Sequence, residues 1–333
     1  MGKKILLGAL LFTAVMMLGG SVAPAGDAIT LRMGFIDAAG HHYVVASEWA
    51  AEELKKRTNG TINLELYPSG QIGEEREMYE GSQFGSVDIC TVVNTTLSGF
   101  IPEMAVLDQP FLFNSFDEAR EVVDGKLNDM IAERMLSQGV HLAGWFESGF
   151  REVYCNRPVD KMADFKGMKL RVMENPIQVA TWNAMGLIAT PMTAGEIFTA
   201  LQQRAIDGAE GGAHNVLIRR FFEVTNHFIN TKHLFGIVAI GVSDRAYNSV
   251  PPEYRPVLME VLKQCATLQH RLGQEMNENA KGKLQENGVT FHDIDREELK
   301  AAIGPVMENF RKNMNQEWLK VLDDHLAEIR ARK

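Results

Sequence analysis

Between residues 28 and 93 two hydrophobic periods trade places at short intervals, and this constrains the fold more than any other feature. "AITLRMGF" (28–35) and "TINLELYP" (61–68) alternate apolar and polar side chains, the period of a half-buried strand. Between them, "YVVASEWAAEELKKRT" (43–58) sets apolar residues at helical spacing and ends in a basic turn before Gly60. "EEREMYEGSQFG" reads as a helix whose acidic first turn suits a positive helix N-terminus. "VDICTVV" is continuously apolar, as strands buried on both faces are. Strand–helix–strand alternation at this pace predicts βαβ units, a mostly parallel sheet and hence an α/β fold.

A second series begins near residue 139. "GVHLAGWFESG", "REVYCN" and "MKLRVM" read as strands, and "PIQVATWNAMG" and "TAGEIFTALQQ" as short helices, the first opened by Pro176. "AIDGAEGGAHN" reads as a Gly-rich turn, "VLIRRFFEV" as helix, and "NHFINT" and "HLFGIVAIGVS" as strands. From Pro252 to Asn287 the pattern is one long helix, "VTFHDI" is a strand, and residues 296–333 are helical and charge-laced. A chain of 333 residues suggests two domains, yet no Ser/Pro-rich linker separates two halves. The chain is therefore expected to cross between domains more than once.

The start of the chain reads as a secretory signal peptide: Lys3 and Lys4, the apolar run from Ile5 to Met17, then Ala23-Pro24-Ala25 as a cleavage site. No Cys follows the apolar run to hold a lipid. The net charge of −9 becomes more negative without Lys3 and Lys4, which argues against nucleic acid and anionic lipid as partners. Cys90, Cys155 and Cys265 show no metal spacing and read as buried free thiols, with one disulfide as the alternative in an oxidising compartment.

Arg151 and Arg171 stand where core strands ordinarily carry apolar side chains. A guanidinium meets a carboxylate through two parallel hydrogen bonds, and a strand fixes its position. Two arginines on neighbouring strands could therefore clamp one buried carboxylate, the alternative being partnership with Asp or Glu of the fold itself. "AIDGAEGGAHNVL" adds Glu210, His214 and Asn215 but lacks the order and the Lys of a nucleotide loop. His41 and His42 open a helix at a spacing unsuited to shared metal binding, and Glu74 and Glu75 open another. No catalytic motif is found, and no cofactor or metal is expected.

"YPSGQIGEERE", "GSVDI", "GFREVYCNRPVDKMADFKGMKLRV", "TPMTAGEIFTALQQRAIDGAE" and "FFEVTNHFINTKH" appear in this order. In that respect the chain resembles the DctP-like substrate-binding proteins of tripartite ATP-independent periplasmic (TRAP) transporters. The resemblance covers essentially the whole mature chain. It implies a periplasmic, two-domain Venus-flytrap with mixed sheets and a long domain-spanning helix, a small organic acid as ligand, and membrane transporter subunits as partners. It implies that Arg171 binds the ligand carboxylate, with Arg151 and Asn215 completing the anion site. The expected division is residues 26–148 with 237–276, and 149–236 with 277–306, followed by a C-terminal helix (307–333) packed on the body. A monomer is expected, with that helix as the alternative basis of a dimer.

Two departures from the family pattern, Ala194 in place of an aromatic and Gly211-Gly212 after Glu210, remove bulk near the cleft. Trp145, Phe150 or Trp182 is then expected to supply the packing surface, with Met173 and His214 nearby. His41, His42, Glu74 and Asn94 are expected to contact the far end of the ligand from the other domain. A hexuronate or aldonate is the expected ligand. A short 2-hydroxy or 2-oxo acid, an aromatic acid, or an enzyme acting on sugar acids through Glu74 and His41 are the alternatives.

Overall fold

The computed structural model describes residues 28–332, so the expected signal peptide lies outside the described residues. β1 (Ile29–Gly34), β2 (Ile62–Tyr67) and β3 (Ile89–Val93) form a parallel set with β1 in the middle. Helix α1 (His42–Arg57) connects β1 to β2, and α2 (Glu75–Phe84) connects β2 to β3. This is the βαβ pattern the alternating periods predict. Every residue of β3 is buried, as its unbroken apolar run requires. A short α3 (Asn94–Leu97), α4 (Phe116–Val123) and α5 (Lys126–Ser137) complete the first lobe.

Two long strands then tie the molecule together. β4 (Val140–Cys155) and, later in the chain, β8 (His227–Ser243) pair antiparallel along their length. The sequence reads each as two strands; the structure makes each continuous. β4 absorbs its break as a bulge between Glu147 and Gly149, where Gly149 takes a φ of 80°. Such a bulge bends a strand without ending it. Between them lie β5 (Lys169–Val172), α6 (Pro176–Ala184), β6 (Ile188–Pro191), α7 (Ile197–Gln202), β7 (Gly208–Gly211) and α8 (Ala213–Ile218).

The Gly-rich "turn" is thus strand β7 and the start of α8. Gly208 lies so close to β4 that a Cβ there would stand 2.6 Å from the Tyr154 carbonyl oxygen. The expected helix "VLIRRFFEV" also divides: α8 ends at Ile218, Arg220 takes a φ of 58°, and a 3-10 turn covers Phe221–Glu223. One mixed sheet results, in the order β2-β1-β3-β8-β4-β7-β5-β6, with β9 (Thr290–His292) parallel to β8.

After α9 (Asp244–Ser249), helix α10 (Arg255–Glu286) packs on α1 and β4 in the first lobe and on α8 in the second. At 1.5 Å per residue its length is about 48 Å, enough to span both. The charge-laced C-terminal region is two helices, α11 (Arg296–Asn313) and α12 (Gln316–Ala331), because Asn315 leaves the helix and caps α12 from its side chain. α12 buries Trp318, Leu322 and Ile329 in the same core as Leu127 and Ile131 of α5. Cys90, Cys155 and Cys265 are buried free thiols. Among the described residues no helix is long and apolar enough to cross a membrane.

Candidate functional site in the interlobe cleft

Sheet order decides what the two strand-borne arginines meet. Arg151 lies on β4 and Arg171 on β5, but these strands are not neighbours: β7 runs between them and carries Glu210. Arg151 Nε donates to Glu210 Oε2, and Arg151 Nη2 donates to Glu210 Oε1 at 2.8 Å and to its carbonyl at 3.0 Å. Arg151 therefore has a carboxylate partner inside the fold. Arg171 does not have one at hydrogen-bonding range. Its Nε and Nη2 both donate to the Met192 carbonyl, at 2.9 and 2.7 Å. Its Nη1 stands 3.8 Å from Glu210 Oε1, inside ion-pair reach but outside hydrogen-bond reach. The Nη1–Nη2 edge of a guanidinium with 5% exposure is thus left to the cleft.

The electrostatics follow from this unequal pairing. Burial alone would raise the Glu210 carboxyl, but Arg151 and His233, whose Nε2 is 3.4 Å away, hold it well below the usual carboxylate range. Burial lowers Arg171, which Glu210 offsets only in part. Arg219 brings a third guanidinium to the same cavity. Its Nη1 donates to the Ala194 carbonyl at 3.2 Å, and its Nη2 donates to the Ile36 carbonyl of the first lobe at 2.7 Å. Asp37 lies 3.7 Å from Arg219 Nη2, and burial raises its carboxyl against the pull of Arg219. Burial likewise pushes Glu75 up to about 7, against hydrogen bonds from Thr96 and the Val93 N–H. Three permanent cations therefore share a cavity of ≈ 60 Å³ with Glu210, which is firmly ionised, and with Asp37 and Glu75, whose charged forms burial disfavours. A buried excess of positive charge is stabilised by an incoming anion.

Of the residues expected here, Arg151, Arg171, Met173, Asn215 and His41 line this cavity. Asn215 Oδ1 is buried without a hydrogen-bond partner in the protein. Glu74 lies at the mouth: it lines an adjoining recess of ≈ 300 Å³ with Arg171 and Thr193, and it caps α2 through a reciprocal bond with Glu77. His42 is turned to α10, where Gln269 Nε2 sits 2.8 Å from its Nδ1. His214 does not line the cavity; its ring is tilted against that of His41, with centroids 5.3 Å apart. Burial lowers the pKa of His41 and His42 well below the ordinary value and lowers that of His214.

Four expected site residues are placed elsewhere by the packing. Asn94 donates to Asp108 Oδ1 at 2.6 Å and accepts from the Ile237 N–H, which holds it inside the first lobe. Trp145 points to the other face of β4, where its Nε1 donates to Asn128 at 3.0 Å. Phe150 stacks edge-on against Phe116 and Phe235 in the first-lobe core. Trp182, fully buried against Phe165 and His233, is core as well. The apolar part of the cavity wall comes instead from Ile36, Tyr154, Ile197 and Val238.

Sequence reasoning missed Asp37, Glu75 as a cavity residue, and Arg219. Arg219 had a readable signal: it follows Asn215 by four residues, the spacing that places two side chains on one helical face.

This architecture has named counterparts. Residues 35–313 match the family model for bacterial extracellular solute-binding protein, family 7, known as DctP. A solute-binding protein of Verminephrobacter eiseniae is 30% identical over 296 residues, 88% of each chain. A TRAP periplasmic solute binding protein from Pseudomonas putida F1, solved with bound D-glucuronate, is 28% identical over 89% of this chain and 97% of its own, with a TM-score of 0.84. Another, from Xanthobacter autotrophicus with bound β-D-galacturonate, is 29% identical over 89% and 99%, also with a TM-score of 0.84. The chain belongs to bacterial extracellular solute-binding protein family 7, the DctP family of periplasmic solute-binding proteins that serve TRAP transporters.

Proposed function

We propose that this protein captures a sugar acid, a hexuronate or aldonate, in the periplasm and delivers it to the membrane subunits of a TRAP transporter. The observation that carries this reading is the free Nη1–Nη2 edge of Arg171 in a buried cavity with excess positive charge. That edge matches the two oxygens of a carboxylate. Arg151, locked by Glu210, adds charge and a fixed wall, and Asn215 offers its unpartnered Oδ1 to a ligand hydroxyl. The uronates bound by the P. putida and X. autotrophicus relatives support the same ligand class. Arg219 ties the second lobe to the Ile36 carbonyl of the first, so closure over the ligand excludes water and strengthens the ion pair. The protein binds and releases its ligand unchanged. Glu74 caps α2 at the cleft mouth, whereas His41 lines the cavity beside Asp37.

A thermal-shift screen tests the proposal. D-Glucuronate, D-galacturonate, galactonate and gluconate are compared with lactate, pyruvate and benzoate. A ligand at 100 times its Kd adds about 2.7 kcal/mol of stability, a shift of several degrees. At least one sugar acid is expected to give it. A shift only with the short or aromatic acids would overturn the ligand class.

A further inference from the structure

The cavity wall carries chemically opposite groups. Arg171 presents its open guanidinium edge, whereas Glu75 and Asp37 also line the cavity and, when ionised, can only accept hydrogen bonds. Glu75 opens α2, and its carboxylate is fixed in place: Oε1 accepts from the Val93 N–H at 3.1 Å and Oε2 from the Thr96 hydroxyl at 2.8 Å. Asp37 Oδ1 lies 3.6 Å from His41 Nε2 and 3.7 Å from Arg219 Nη2, so neither neighbour takes it up in a close hydrogen bond. Arg219 spends one hydrogen of each terminal nitrogen on a main-chain carbonyl, its Nε is buried without a partner, and its charge already faces Asp37 at 3.7 Å.

We infer that Glu75 and Asp37 make the cleft reject a second carboxylate, so that sugar acids oxidised at one end bind and aldaric acids, oxidised at both ends, do not. The inference rests on the reading that Arg171 takes the ligand carboxylate. Lone carboxylates accept from hydroxyls of a polyol tail, but they repel a carboxylate brought into the same low-dielectric space. The groups that act on Glu75 electrostatically are Asp37, Tyr43, Cys90, Arg151 and Arg171. Because burial pushes Glu75 to about 7, its protonated form gains weight as pH falls and can donate to a second carboxylate. Discrimination therefore narrows in acid.

Calorimetry with matched pairs differing only at C6, galactonate against galactarate and gluconate against glucarate, tests this at pH 8 and pH 6. The mono-acid of at least one pair is expected to bind at least 100-fold tighter at pH 8, with a gap at least threefold smaller at pH 6. Glu75→Gln is expected to raise aldarate affinity at least tenfold and flatten the pH dependence; Asp37→Asn should raise it too. Aldarate binding within threefold of its mono-acid at pH 8 would overturn the inference and leave the carboxylate site standing. So would a gap that neither variant nor pH alters. Failure of all four acids to bind would overturn the inference, and the proposed function with it only where neither D-glucuronate nor D-galacturonate binds.

Discussion

Arg171 gives the sharpest test of the site. Its guanidinium is buried, half of it anchored on the Met192 carbonyl and half free. Substituting Ala leaves a ligand carboxylate in the closed cleft without its fork. Breaking such a buried charge pair costs roughly 2–5 kcal/mol. At 1.4 kcal/mol per tenfold, Kd should rise about 30- to 4000-fold. Arg171→Lys keeps the charge but cannot hold Met192 and present two parallel donors at once. It should lose about one charge-assisted hydrogen bond, roughly 1.5–3 kcal/mol, and fall between wild type and Ala. Burial already lowers Arg171, so its charge is imperfectly compensated in the free protein and its removal should leave the fold intact. Calorimetry with the sugar acid that gives the largest thermal shift measures the affinities, and circular dichroism checks the fold. An Ala variant within threefold of wild type, or a Lys variant weaker than Ala, would refute the reasoning.

Other expectations concern stability. Gly208→Ala would set a methyl group 2.6 Å from the Tyr154 carbonyl oxygen and 2.7 Å from the Cys155 Cβ, neither of which can move alone; a loss of about 3 kcal/mol or more is expected in urea unfolding. Glu210→Gln removes the one firmly ionised carboxylate between two buried guanidiniums and should cost roughly 3–5 kcal/mol; a neutral outcome would mean the arginines find other counter-charge. Glu75 is pushed up to about 7 from 4.5, so its contribution to stability is present below about pH 4.5 and is lost as pH rises through 7. Glu75→Gln, whose amide can donate to a rotated Thr96 hydroxyl while its oxygen keeps the Val93 N–H, should therefore be more stable than wild type at pH 8, by about 3 kcal/mol. It should hold little advantage at pH 5, and equal stabilities at both pH values would disprove the assignment.

The alternating periods before residue 93 specify the first βαβ units because each strand there buries one or both faces locally. The same logic fails where structure depends on distant partners. Gly208–Gly211 carries no strand signal, since its glycines answer to the closeness of β4 rather than to strand propensity. β4 and β8 look interrupted because their bulges sit where the chain passes between lobes. At the site, the charged strand positions of Arg151 and Arg171 were legible as anomalies. Their unequal partnership was not, because only the insertion of β7 between β4 and β5 sets Glu210 between them. Trp145 and Phe150 illustrate the converse. An aromatic near a motif says nothing about which face of its strand it occupies, and here both face the core.

Arg219 grips its two lobes through peptide oxygens, those of Ile36 and Ala194, rather than through their side chains. Both residues also line the cavity. Identity at positions 36 and 194 is therefore separable from the clasp: the side chains can be exchanged to recarve the chamber while the carbonyls go on receiving the same guanidinium. For anyone adapting this scaffold into a sensor for a different metabolite, these two sites allow the chamber to be recut while the Arg219 contact between lobes is kept.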